Sequence, residues 1–82
     1  MIEVVLYRRP GCELCDEARA GIEAMSADGR PIAVREVNID ADESLRARYT
    51  DRVPVVELAG EEVCDLGLDR GALQARLDTV SA

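Results

Sequence analysis

Apolar residues fall along this chain in four short extended runs and three helical stretches. Ile2 to Tyr7 (IEVVLY) is mostly apolar and β-branched, the pattern of a strand covered on both faces and central in a parallel arrangement. It starts at the second residue, so no leader is expected before it. Arg8-Arg9-Pro10-Gly11 breaks the run with turn residues. From Cys12 to Ala27 the period becomes helical, with Cys15, Ala18, Ile22 and Met25 on one stripe. Asp16 and Glu17 stand early in that helix, where carboxylates suit its dipole. Asp28-Gly29 should close it with Gly29 left-handed, and Pro31 prevents continuation.

Ile32 to Ile39 reads as a second strand, bounded by Pro31 and by Asp40-Ala41-Asp42. Glu43 to Tyr49 follows as a short helix with Asp42 as N-cap and Leu45 and Tyr49 on one face. After Val53-Pro54 come two more strands, Val55 to Ala59 and Glu62 to Leu66, joined by a tight turn at Gly60-Glu61. Asp69 to Val80 closes as a helix with Leu73, Leu77 and Val80 inward. The order β-α-β-α-β-β-α implies an α/β fold, a four-stranded mixed sheet flanked by three helices. There are no internal repeats or low-complexity linkers.

Composition narrows the chemistry. A chain of 82 residues is expected to be one domain, residues 1–82. Aromatics are 2%, all of it Tyr7 and Tyr49, so the core must be Val, Ile, Leu and Ala. No apolar run approaches the roughly 20 residues of a membrane span, and no signal-peptide pattern opens the chain, so the expected location is cytoplasmic. With no His, Ser/His and Cys/His catalysis are excluded, and with no Lys, so is Schiff-base chemistry. A net charge of −7 argues against nucleic acid or an anionic membrane as partner.

Three cysteines remain, too few and too odd for a disulfide scaffold. Cys12-Glu13-Leu14-Cys15 places one thiol at the start of the first helix and the other a turn inside it. Unpaired N–H groups and the positive dipole end favour a thiolate at Cys12. Cys15, on the apolar stripe, should be more buried. An accessible acidic thiol beside a buried one suits dithiol–disulfide exchange. Two alternatives stand beside this. The cysteines could be unrelated core residues. Or their soft thiolates could ligate Cu(I) or Zn(II), as in small copper-chaperone domains; those run β-α-β-β-α-β, usually with Met where this chain has Pro10. Pro54 fits the first residue of a strand, where a trans bond is the ordinary case. Arg8, Arg9 and Arg52 form a candidate basic rim for an acidic partner or a carboxylate, or else are solvated loop residues. Cys64 reads as a small buried hydrophobe.

Tyr7 to Cys15 after the first strand, with Arg52-Val53-Pro54 before the hairpin, resembles a glutaredoxin-like member of the thioredoxin superfamily. The resemblance spans the whole chain in element order and length. It implies that Cys12 is the nucleophile and Cys15 the resolving thiol. It also implies that Pro54 is cis and faces the disulfide, and that Arg9 and the Val53 backbone dock the substrate. The match has departures. Glu13-Leu14 stands where glutaredoxins commonly carry Pro-Tyr, and Cys64-Asp65 stands at their Gly-Gly turn. The expected partner is therefore a protein disulfide, with glutathione bound weakly at most. The protein is expected to act as a monomer, with no bound cofactor or metal.

Overall fold

The computed structural model describes residues 1–80. The elements are β1 (Ile2–Arg8), α1 (Glu13–Asp28), β2 (Ile32–Asn38), a 3-10 turn (Ile39–Ala41), α2 (Glu43–Tyr49), β3 (Val55–Leu58), β4 (Glu61–Cys64) and α3 (Arg70–Val80). The sheet order is β2-β1-β3-β4. β1 runs parallel to β2 and antiparallel to β3, and β3 pairs antiparallel with β4. The mixed four-stranded sheet with three helices is a thioredoxin-like architecture. Among the described residues no helix is long and apolar enough to cross a membrane.

Alternation along the strands separates two apolar clusters. Val4 and Leu6 of β1, Val56 and Leu58 of β3 and Ile32 of β2 pack with Ala18 and Ile22 of α1 and Leu73 and Leu77 of α3. Residues of the opposite parity face α2 and the 3-10 turn: Val55 packs with Ile39 and Tyr49, and Tyr7 adds its ring. Tyr7 and Tyr49 stack at 4.7 Å between centroids, and the Tyr7 hydroxyl donates to Glu57 at 3.3 Å. With no Phe or Trp available, these two rings carry much of what fills the smaller cluster.

The sequence pattern and the structure differ in several details, among them the last strand, which spans Glu61–Cys64 rather than Glu62 to Leu66, with Leu66 outside it at φ 59°. β2 stops at Asn38, and Ile39 is buried in a single 3-10 turn capped by the Asn38 side chain. The hairpin turns at Ala59-Gly60, φ 54° and 80°, rather than at Gly60-Glu61. A two-residue turn of this hand needs positive φ at both central positions, and Gly60 takes the more extreme one. Gly29 is not left-handed, with φ −149°. The Ser26 hydroxyl instead accepts the Ile32 N–H at 2.8 Å and helps return the chain into β2. Val80 points outward, 43% exposed, and the inward positions of α3 are Leu73 and Leu77.

Candidate active site

Cys12 is the N-cap of α1, in extended conformation at φ −91° and ψ 109°. Gly11, at φ +72°, makes the bend that brings the chain from Pro10 into this cap. A sulfur here does the work usually given to a Ser or Asp oxygen: Cys12 Sγ accepts the Cys15 N–H at 3.1 Å. Cys12 and Cys15 form a disulfide across the first turn, with their Cα atoms 5.2 Å apart. Cys15 is fully buried and Cys12 half-buried, so only one sulfur of the pair is open to attack. Among the described residues no group of three or more metal-ligand side chains is brought together.

A second segment comes to this end of the sheet from a distant part of the chain. Tyr7 pairs with Val55, so the β1–α1 loop and the segment before β3 emerge at the same end of the sheet. There the Val53–Pro54 peptide bond is cis, and Pro54 is buried. The segment is pinned by backbone bonds, Arg52 N–H to the Tyr49 carbonyl at 2.9 Å and Leu66 N–H to the Arg52 carbonyl at 3.0 Å. Arg52 also reaches across to β4 and the loop after it, pairing with Glu62 and, at 3.0 Å, with Asp65.

The basic rim exists, but each member already holds carboxylates. Arg9 Nε donates to Asp40 at 3.1 Å and Nη1 to the Thr50 carbonyl at 3.4 Å. Arg8 bridges Asp16 at 2.8 Å and Glu36 at 3.1 Å. The hydrogen bond to Asp16 is the main reason the Arg8 guanidinium is held above its ordinary value. These partners mostly lie far off in sequence, so residue order alone does not reveal them.

Cys64 sits apart from the pair. β4 carries an irregularity: Glu57 faces Glu62, yet Val56 faces Cys64, so Val63 is an extra residue. This bulge turns Cys64 to the face of Val56, where it packs on the larger cluster. Burial is the largest influence and pushes the Cys64 thiol up. The Asp69 N–H, at 3.5 Å, opposes this, while the carboxylates of Asp69, Asp65 and Glu62 add to it.

Two exposed leucines were not singled out from sequence. Leu14, between the cysteines, is 52% exposed, and Leu66 is 60% exposed at φ +59°. Leu14 borders a crevice of about 200 Å³ between α1 and the loop before α3, floored by Gly21 and walled by Leu68 and Arg70. Leu14 lies off the apolar stripe of its helix, which was the available signal.

The family model described as Glutaredoxin-like domain (DUF836) matches residues 3–78. The solved structure of the structural-genomics target protein XcR50 from X. campestris is 38% identical, over 93% of this chain and 96% of that one, with a TM-score of 0.73. The germline-specific thioredoxin Deadhead of Drosophila melanogaster is 18% identical, over 96% of this chain and 80% of that one, at a TM-score of 0.57. A designed protein is 22% identical, over 99% of this chain and 77% of that one, at a TM-score of 0.60. The last two likenesses concern the fold alone. No curated protein matches.

Proposed function

The chain belongs to the glutaredoxin-like domain family (DUF836), and on that premise we propose that it is a dithiol–disulfide oxidoreductase whose substrate is a disulfide in a partner protein. The observation that carries this reading is the disulfide between a half-buried N-cap sulfur and a fully buried one a turn later. In the reduced protein the Cys12 thiolate, favoured by the helix N-terminus, attacks one substrate sulfur. The substrate disulfide breaks, its second sulfur leaves as a thiolate and takes a proton, and a mixed disulfide forms. Cys15, deprotonated, then attacks Cys12 Sγ. The substrate is released with two electrons gained, and the Cys12–Cys15 disulfide holds the two electrons' worth of oxidation.

In this reading the Val53 backbone and Pro54 form the docking wall, and Leu14 and Leu66 are apolar ground on which a partner chain lies. Arg9 keeps Nη2 outside its bonds to Asp40 and Thr50, so it serves a substrate carboxylate. Glutathione is a poor substrate. Cys64 and Asp65 bring side chains where a bare backbone would receive the tripeptide's second charged end. Losing one charge-assisted contact costs roughly 1.5–3 kcal/mol, about one to two decades of affinity.

Trapping tests the reading. A Cys15→Ser variant should accumulate mixed disulfides with partner proteins at Cys12, and their absence would sink it. Turnover of a small mixed disulfide coupled to glutathione reductase should be weak beside the same assay with thioredoxin reductase. Equal turnover would restore glutathione as substrate.

A further inference from the structure

Among the described residues, Arg8 is the most enclosed of the six arginines that form ion pairs, its side chain 16% exposed. Its Nη1 lies 2.8 Å from Asp16 and 3.1 Å from Glu36, and its Nη2 donates to the Arg9 carbonyl at 3.3 Å. The three anchors belong to three segments: the first turn of α1, the strand β2 and the β1–α1 loop. Asp16 in turn donates its backbone N–H to the Cys12 carbonyl at 3.1 Å. One planar guanidinium thus grips the chain just before and just after the Pro10-Gly11-Cys12 bend. Glu36 extends the grip to Arg19, which also pairs with Glu23 of its own helix.

The charges give this grip a second consequence. Glu13 and Asp16 both stand in the first turn of α1. A carboxylate there suits the helix dipole but opposes a thiolate at the cap. Among the described residues, Asp16 has a cationic partner and Glu13 has none. Arg8 lets the helix keep Asp16 while sparing the sulfur most of its charge.

We propose that Arg8 is a positioning residue for the Cys12 thiol, holding the cap in place and cancelling the Asp16 carboxylate. The inference rests on the dithiol reading above. Its test is the titration of Cys12 in the reduced protein, followed by ultraviolet thiolate absorbance, together with the dithiol–disulfide potential. Arg8→Met should raise the Cys12 pKa by roughly half a unit to one unit, a modest shift because Asp16 is exposed. The potential should move in the reducing direction, since a less stable thiolate disfavours the reduced form. Adding Asp16→Asn should return most of the pKa shift. Arg8→Lys, which keeps the charge and loses the fork, should show a smaller shift than Arg8→Met and guards against a variant that fails to fold. A lower melting temperature with unchanged pKa and potential would overturn the proposal, as would a shift that survives Asp16→Asn. Wild-type protein that titrates as expected but exchanges no disulfide would instead overturn the oxidoreductase reading.

Discussion

Cys12 and Cys64 are both half-buried sulfurs at the end of a regular element, but their surroundings are opposite in sign. Cys12 caps a 16-residue helix, takes an N–H from its first turn, and has Arg8 screening the neighbouring carboxylate. Cys64 closes a strand, lies against an apolar cluster and is surrounded by Glu62, Asp65 and Asp69. The first environment stabilises a thiolate and the second disfavours one. Three cysteines in one small chain are therefore not three candidates. What separates them is the dipole, the donors and the carboxylates around each sulfur.

The largest effect expected from this contrast is at Cys12. Cys12→Ser should drop disulfide reduction to the uncatalysed rate, because the thiolate is the attacking species. Cys64 should not substitute for it. Residual catalysis in Cys12→Ser that vanishes on adding Cys64→Ser would collapse the distinction.

The next effect is one of rate. A raised thiol pKa means less thiolate at neutral pH than a free cysteine would show. The Cys64 thiolate fraction grows tenfold per pH unit until its pKa is passed. In reduced protein, limiting iodoacetamide at pH 7 should label Cys12 at least about tenfold faster than Cys64, with the gap closing as the pH rises beyond the ordinary thiol range. Peptide mass spectrometry reads both sites in one experiment. Equal labelling at pH 7 would mean that exposure alone governs reactivity here.

Much of the first region was legible because it is local. The strand, the Pro-Gly bend, the helical stripe and the CxxC are consecutive residues, and of the stripe Cys15, Ala18 and Ile22 are buried while Met25 is half-buried. Helix Glu43–Tyr49 with its Asp42 cap follows from the same kind of signal, since Asp42 accepts the N–H groups of Ser44 and Leu45. The second region was harder because its features are relational. Strict alternation from Leu58 opposite Glu61 would bring Cys64 opposite Val55, on the α2 face. The extra residue Val63 sends it to the other. Nothing in the residue types alone marks that bulge. The same holds for the arginines: Arg8 to Glu36 and Arg9 to Asp40 are pairs set by the parallel β1–β2 register and the turn after it.

The two regions touch at Gly21. A Cβ built there would lie 2.6 Å from a Leu68 methyl, so an alanine between α1 and the loop following Cys64 must push that side chain aside. Gly21→Ala gains about 0.5–1 kcal/mol of helix propensity but forces overpacking of about 1–3 kcal/mol. The clash meets the far end of a flexible side chain, which keeps the cost low in that range. The net should be a small loss, at most about 1 kcal/mol, seen as a lower denaturation midpoint at unchanged slope. A stabilised variant would show that the loop moves aside freely and that the two regions are mechanically independent.

The smallest effect belongs to Cys64 itself. Its thiol packs beside Val63 on the larger cluster and accepts the Asp69 N–H just before α3. Serine is close to it in size, and a hydroxyl oxygen is a better acceptor for that N–H than sulfur, so the bond can survive the change. Against this, a partly buried hydroxyl loses some of the apolar contact the sulfur made. These terms oppose each other, and the position remains partly open to water, so the stability change should stay within about 1 kcal/mol. Turnover of a disulfide substrate by Cys64→Ser should lie within about twofold of wild type, since no step of the proposed exchange passes through this sulfur. Measuring turnover and the denaturation midpoint on the same preparation separates the two ways of failing. A large loss of turnover in a variant that folds with an unchanged midpoint would bring Cys64 into the chemistry and erase the contrast with Cys12. A loss of both would say only that the bulge does not tolerate serine, and would leave the contrast standing on the labelling rates.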